Sequence, residues 1–223
     1  MLRLFFLLSF AIINSHIAFA SDRVAIYSIS IPGLHQEDGQ GDYDKIINDG
    51  IAQVGQVNFS LLPPKRAFAA FQKCSNCCIS PANLNPDFYD FKQDIHIIAS
   101  KPMAVAKIYV FSGPGASITY SSLHELVGLR VGIRRGMPYG KRFEEFNLNT
   151  SEASDLLKNI SKLKLGRVDV IVAYMPDVYE AFEQLDMKPL PHQPDNPIAI
   201  HNDSLVCRGV SKDFISLFNS TLP

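Results

Sequence analysis

The residues of this chain best equipped for chemistry fall at the ends of its apolar runs. In "GIRRGMPYG", Arg134, Arg135, Gly136 and Tyr139 follow a strand-like run and lead into a helical pattern. Free backbone N–H groups at a helix start attract anions, and an Arg can grip a carboxylate through two parallel hydrogen bonds. Strand side chains alternate between faces, so one of the two arginines is expected to face a ligand and the other solvent. Tyr174 closes the apolar run 168–173, where its ring can stack on a ligand and its hydroxyl can donate a hydrogen bond. Arg66, in the first turn of a helix opened by Pro63-Pro64, is a further candidate cation. Tyr27, Ser28 and Ser30 at the end of the first strand, and Ser80 and Asn83 after a later one, add small polar groups. Each has a plain alternative: ion pairing for the arginines, core packing for Tyr174, an ordinary strand end for the rest. As a set they suit binding a small polar molecule.

They do not suit catalysis. A covalent mechanism needs a nucleophile beside a base, and acid–base work needs tuned partners. His35, His96, His124, His192 and His201 are scattered, and there is no nucleophile elbow, His-Glu-x-x-His or phosphate loop. No cofactor is expected. The cysteines are Cys74, Cys77, Cys78 and Cys207. Three thiols in "KCSNCC" lack a nearby His, and four-ligand zinc sites usually come as two spaced pairs, so a structural disulfide is favoured over a metal. The pairing stays open, with a bridge from the first cluster to Cys207 as the expected one.

The elements that must position these groups alternate. "RVAIYSIS" reads as a strand and "DYDKIINDGIAQVG" as a helix with Ile46, Ile47, Ile51 and Val54 on one face. "QVNFSLL", "CCISP", "IHIIASKP", "AKIYVFSGPG", "LRVGIRRG", the run after Gly166 and "DSLVCRGV" are β-rich. "KRAFAAFQK", "SSLHELVG", "SEASDLLKNISKLKLG", "MPDVYEAFEQL" and "SKDFISLFNSTL" carry helical spacing. Alternation of this kind implies βαβ units, an α/β class with mostly parallel sheets, and ligands outside the carboxyl ends of the strands.

The opening stretch, "MLRLFFLLSFAIINSHIAFA", has an early Arg3, an apolar run and a small-residue site ending at Ala20, the pattern of a cleaved signal peptide over residues 1–20. Asn14, Ser15 and His16 interrupt it before it reaches the length of a membrane span. The net charge of −1 shows no excess of the clustered cations that hold a phosphate backbone, so nucleic acid is not an expected partner.

In order along the chain, "GQGDYDKIINDGIAQVG", "PPKRAFAAF", "SSLHELVGLRVGIRRGMPYG", "ISKLKLGRVDVIVAYMPD" and "LVCRGVSKDFISLFNSTL" resemble the periplasmic solute-binding proteins of ABC-type uptake systems, in the amino-acid-type group (family 3). The resemblance implies a two-lobed, periplasmic-binding-protein-like (type II) fold joined by a two-strand hinge. Lobe 1 is then expected over 21–102 and 208–223, lobe 2 over 108–203, and hinge strands over 103–107 and 204–207. It also implies a periplasmic monomer that closes on a small, amino-acid-like ligand and docks on an inner-membrane permease. A sensory module read by a signalling partner is the alternative, and a dehydratase-like periplasmic enzyme on the same fold a more distant one. One departure stands out: where amino-acid binders of this family carry an Arg that clamps the ligand carboxylate, "SPANLNPDFYDF" has no Arg or Lys before Lys92.

Overall fold

In the computed structural model, residues 23–52, 57–91 and 96–222 are described; the expected signal peptide lies outside them. The first third of the chain builds a parallel ribbon. Strand β1 (Val24–Ile29) lies between β2 (Val57–Leu62) and β3 (Cys77–Ala82), parallel to both. Helices α1 (Asp42–Ile51) and α2 (Pro64–Phe71) make the crossovers. The Asp44 carboxylate accepts the Gly41 and Gln36 N–H groups and so holds the start of α1. Pro64 sits at the first position of α2, where its missing N–H costs nothing.

The second group is β5 (Ala104–Ser112), β6 (Arg130–Arg134), β7 (Asn149–Ala153) and β8 (Val170–Met175), with α3 (Lys141–Glu145), α4 (Leu156–Lys164) and α5 (Asp177–Gln184). A single 3₁₀ turn, Leu123–Leu126, precedes β6. β6 is parallel to β7 and β8, and β8 is antiparallel to β5. Strand β9 (Ala199–Arg208) runs through both groups: Ala199–Asp203 pair with β5, and Ser204, Val206, Cys207 and Arg208 pair with β3. β4 (Ile97–Ala99) flanks the same second half of β9, and α6 (Lys212–Ser220) follows. The result is a mixed α/β, two-lobed architecture, with parallel pairing around β1 and around β6 and antiparallel pairing wherever β5 or β9 takes part.

Three apolar clusters fill it. One lies in the first group around Ile26, Ile47, Phe71, Ile79 and Phe218. The other two occupy opposite faces of the second sheet, with Ile160, Ile171 and Phe182 on one side and Ile108, Val131, Phe143 and Val172 on the other. Cys78 and Cys207 face each other across β3 and β9 and are bridged, 129 residues apart in sequence; Cys74 is bridged to Cys77. The bridge from the cysteine cluster to Cys207 is the expected one.

Two elements differ from the reading of the sequence. "SEAS" is not the first turn of a helix: Ser151–Ala153 belong to β7, and α4 starts only at Leu156. The Asp155 side chain accepts the Lys158 N–H at 2.8 Å, an N-cap that competes successfully with an earlier helix start. β9 is also longer than "DSLVCRGV", because His201 and Asp203 alternate inward with exposed Ile200 and Asn202 between them.

Candidate functional site

The carboxyl ends of β1, β3, β6 and β8 converge on the first half of β9, and a small cavity lies between them. Ile29, Ile31, Leu34, Pro81 and Tyr89 line it from the first group, Ala106, Met137, Pro138, Tyr174 and Asp177 from the second, and His201 and Asp203 from β9. It holds on the order of one water molecule.

A chain of polar side chains crosses its wall. Tyr43 Oη on α1 donates to Asp203 Oδ2, Asp203 Oδ1 meets His201 Nδ1 at 2.5 Å, and Tyr89 Oη lies 2.8 Å from His201 Nε2. With Asp203 as acceptor, Nδ1 carries the imidazole proton and Nε2 accepts from Tyr89. Burial, reinforced by Asp203, pushes the phenols of Tyr43 and Tyr89 well above their ordinary range, so both stay neutral donors. The chain ties α1 and the loop 83–91 of the first group to the strand shared by both. Phe88 from that loop packs edge-on against His201 at 4.9 Å and against the second group's core.

Further contacts cross the seam. Arg134 at the end of β6 is only 8% exposed, and its Nη2 donates to the Ser30 carbonyl. Its Nε and Nη1 are buried and have no hydrogen-bond partner among the described residues. Burial lowers its pKa, opposed by Asp177 and Asp155. The Lys141 N–H donates to the Asp87 carbonyl at 2.6 Å. Gly136 has φ +78°, and a Cβ there would sit 2.8 Å from the Lys65 nitrogen at the start of α2, so only glycine suits both the turn and the approach.

The residues proposed from sequence fall in different places. Tyr174 lines the cavity and is also core, with its ring 5.8 Å from that of Tyr139 and its hydroxyl donating to the Pro138 carbonyl. Tyr139 is buried just behind it and accepts the Arg134 N–H at 2.9 Å. Arg134, Ser30 and Gly136 meet at the seam. Arg66 and Arg135, by contrast, face solvent: strand alternation turns Arg135 outward, where it pairs with Glu152 at 2.7 Å, and Arg66 is on the exposed side of α2. Neither lines the cavity. Ser28 and Tyr27 lie deeper in β1, with Ser28 on the far side near Asp44 and Asn48. The Asn83 side chain accepts the Asn85 N–H and shapes the loop instead of facing the cavity.

Ser80 belongs to a second polar chain. Its Oγ lies 2.9 Å from His35 Nε2, and His35 Nδ1 lies 2.7 Å from Asp44 Oδ1. These are the parts of a serine nucleophile with its base and orienting acid. Ser80 is fully buried and absent from the cavity lining, so no carbonyl can reach its hydroxyl. The chain holds α1 and its entry loop on β3.

Asp177, His201 and Asp203 also line the cavity and are not among the site residues proposed from sequence. Asp177 opens α5 directly after the strand that ends on Tyr174 and is 5% exposed. Burial, with the charge of Asp203 adding to it and Arg134 opposing, pushes its carboxyl up to about 7. The i, i+2 spacing of His201 and Asp203 in "AIHNDSLV" is the period of a strand face and was the available signal.

The chain matches no protein-family profile and no curated protein. Its structure resembles solved ones over nearly its whole length. The GluR0 ligand-binding core in complex with L-glutamate is 12% identical, with 91% of each chain covered and a TM-score of 0.72. A histidine kinase sensor domain with similarity to periplasmic binding proteins is 14% identical, over 90% of this chain and 89% of that one, with a TM-score of 0.71. Holo ArgBP from T. maritima is 12% identical, over 90% and 88%, with a TM-score of 0.67. At these identities the likeness establishes the fold: a two-lobed, periplasmic-binding-protein-like architecture.

Proposed function

We propose that this protein is an exported solute-binding protein that captures a small polar ligand between two lobes and delivers it to an ABC-type permease. One observation carries the reading: the cavity has walls from both strand groups, and the Tyr43–Asp203–His201–Tyr89 chain spans them. A site built in two halves binds most tightly when they close, and the ligand then shifts the population toward the closed form. The proposed lobes are 21–102 with 208–223, and 108–203. The change of pairing partner between Asp203 and Ser204 supports a crossing at that level. The proposed location is the periplasm, from the pattern of residues 1–20; among the described residues no helix is long and apolar enough to cross a membrane. The protein works as a binder, without a catalytic step, and as a monomer. A sensory module is the second reading, favoured by the likeness to a histidine kinase sensor domain.

A thermal-shift screen over amino acids, carboxylates, amines and short peptides tests the proposal. A true ligand at 100 times its dissociation constant stabilises the fold by about 2.7 kcal/mol. A screen in which no small molecule raises the melting temperature contradicts it.

A further inference from the structure

The charged side chains lining the cavity are both acids, Asp177 and Asp203, and no Lys or Arg lines it. Asp203 is already engaged at both oxygens, by His201 and by Tyr43. Asp177 is not: among the described residues no side chain is hydrogen-bonded to it, and its carboxylate is held only by its own backbone N–H. Arg134 attracts it electrostatically but directs Nη2 to the Ser30 carbonyl and stands outside the lining. The remaining walls are apolar (Ile29, Leu34, Met137), the rings of Tyr89 and Tyr174, and the His201 imidazole, whose two nitrogens are already engaged by Asp203 and Tyr89.

We propose that the ligand is a small organic amine that enters when the cavity walls part, with its ammonium group held by Asp177 and its apolar body between the Tyr89 and Tyr174 rings. This rests on the cavity being the ligand site. A carboxylate entering it would meet two buried acids with no cation in the lining, an arrangement that burial makes costly. A cation is favoured by the acid and by the faces of the aromatic rings. The raised pKa of Asp177 agrees: desolvation disfavours its charged form, and a bound ammonium would restore it. Around Asp177 the other charged or titratable groups are Arg134 from β6, Tyr139 behind it, Tyr174 from β8, Tyr43 from α1, and Asp203 with His201 from β9. Among these Arg134 alone favours the ionised form. Below about pH 7 amine binding therefore releases a proton from Asp177.

Titration calorimetry with probes that share one body tests the inference: isoamylamine, leucine and 4-methylpentanoate, then phenethylamine, phenylalanine and 3-phenylpropanoate. The amine of a set is expected to bind at least tenfold tighter than its matched carboxylate and no weaker than the amino acid. Asp177→Asn, close in size, is expected to weaken amine binding tenfold or more. Measured on the unmodified protein in two buffers of different ionisation enthalpy, amine binding at pH 6 releases a proton, and the release fades by pH 8.5. Binding of carboxylates or amino acids only, amine binding untouched by Asp177→Asn, or no proton release at pH 6 overturns the amine assignment. If other compounds bind in the cavity and amines do not, the amine class falls and the solute-binding reading stands. If the wider screen finds no ligand at all, both fall.

Discussion

Two buried histidines in this protein have nearly the same partners and opposite settings. His35 sits between Asp44 and Ser80 inside the first strand group; His201 sits between Asp203 and Tyr89 at the cavity between the groups. In each, one ring nitrogen faces a carboxylate and the other a hydroxyl. The hydroxyl end of the His35 chain is sealed: Ser80 and His35 are fully buried, β3, which carries Ser80, is bridged to β9 two residues away at Cys78, and only Asp44 reaches the outer surface. The His201 chain lines the cavity and joins elements from both groups. Residue type therefore does not separate a structural relay from a functional one. On the proposed reading, what separates them is that the His201 chain borders the cavity between the two groups and the Ser80 end of the His35 chain does not.

The comparison breaks first at the disulfide. Cys78 and Cys207 close a loop of more than a hundred residues, so chain entropy allows about 4–5 kcal/mol of stabilisation. Replacing both by Ala is expected to lower the denaturant midpoint accordingly, because it frees the unfolded chain of that constraint. Ligand affinity, measured where the variant is still folded, should stay unchanged.

Removing the acid of the cavity relay is expected to come next. Asp203→Ala strips both His201 Nδ1 and the Tyr43 hydroxyl of their acceptor, and stranding buried donors costs about 1–3 kcal/mol each. Unlike the disulfide variant, this one should lose both stability and affinity. Denaturant unfolding and calorimetry on the same preparation check it, and unchanged affinity would argue that the chain is only scaffold.

The two regions should also differ in their response to pH. Burial pushes the Asp44 carboxyl up, but hydrogen bonds from His35 and the backbone together outweigh it and hold Asp44 below the usual carboxylate range. It contributes stability that is present above the unfolded pKa near 3.8 and lost as pH falls through the lower folded value. Asp177 has the opposite sign: with its carboxyl pushed up to about 7, the folded state binds the extra proton between about pH 4 and 7. Its effect is to lower stability as pH rises through that window, by up to about 4 kcal/mol if the whole shift is realised. Unfolding curves for Asp177→Asn should be flatter over pH 4–7 than those of the parent and more stable at pH 8.

The smallest effect belongs to the sealed relay. Ser80→Ala strands one buried nitrogen of His35 and is expected to cost about 1–3 kcal/mol with no change in ligand binding. A loss of affinity comparable to that of Asp203→Ala would erase the distinction between the two relays.

Most of the architecture was legible from the chain, because hydrophobic period and Gly or Pro punctuation are local signals. The run up to Tyr174, its Pro and the helix after it were readable in that way, and so was the α/β class. β7 escaped because "NTSEA" is polar and becomes a strand only through pairing with β6. The site was less legible. Tyr174 and Arg134 could be proposed from their positions at strand ends, yet Arg134 and Arg135 are told apart only by which face of β6 is covered. Tyr43 meets Asp203 and Tyr89 meets His201 across separations of 160 and 112 residues, which no local pattern encodes. The same holds for Asp177, whose chemistry comes from burial.

The most direct test of the central claim is methyl NMR on the protein during titration with the strongest stabiliser from the ligand screen. The account predicts that cavity-lining methyls of both groups, Ile29, Ile31 and Leu34 on one side and Ala106 and Met137 on the other, shift together and saturate at one ligand per protein. Shifts confined to one group, or to the outer surface away from these residues, would contradict it.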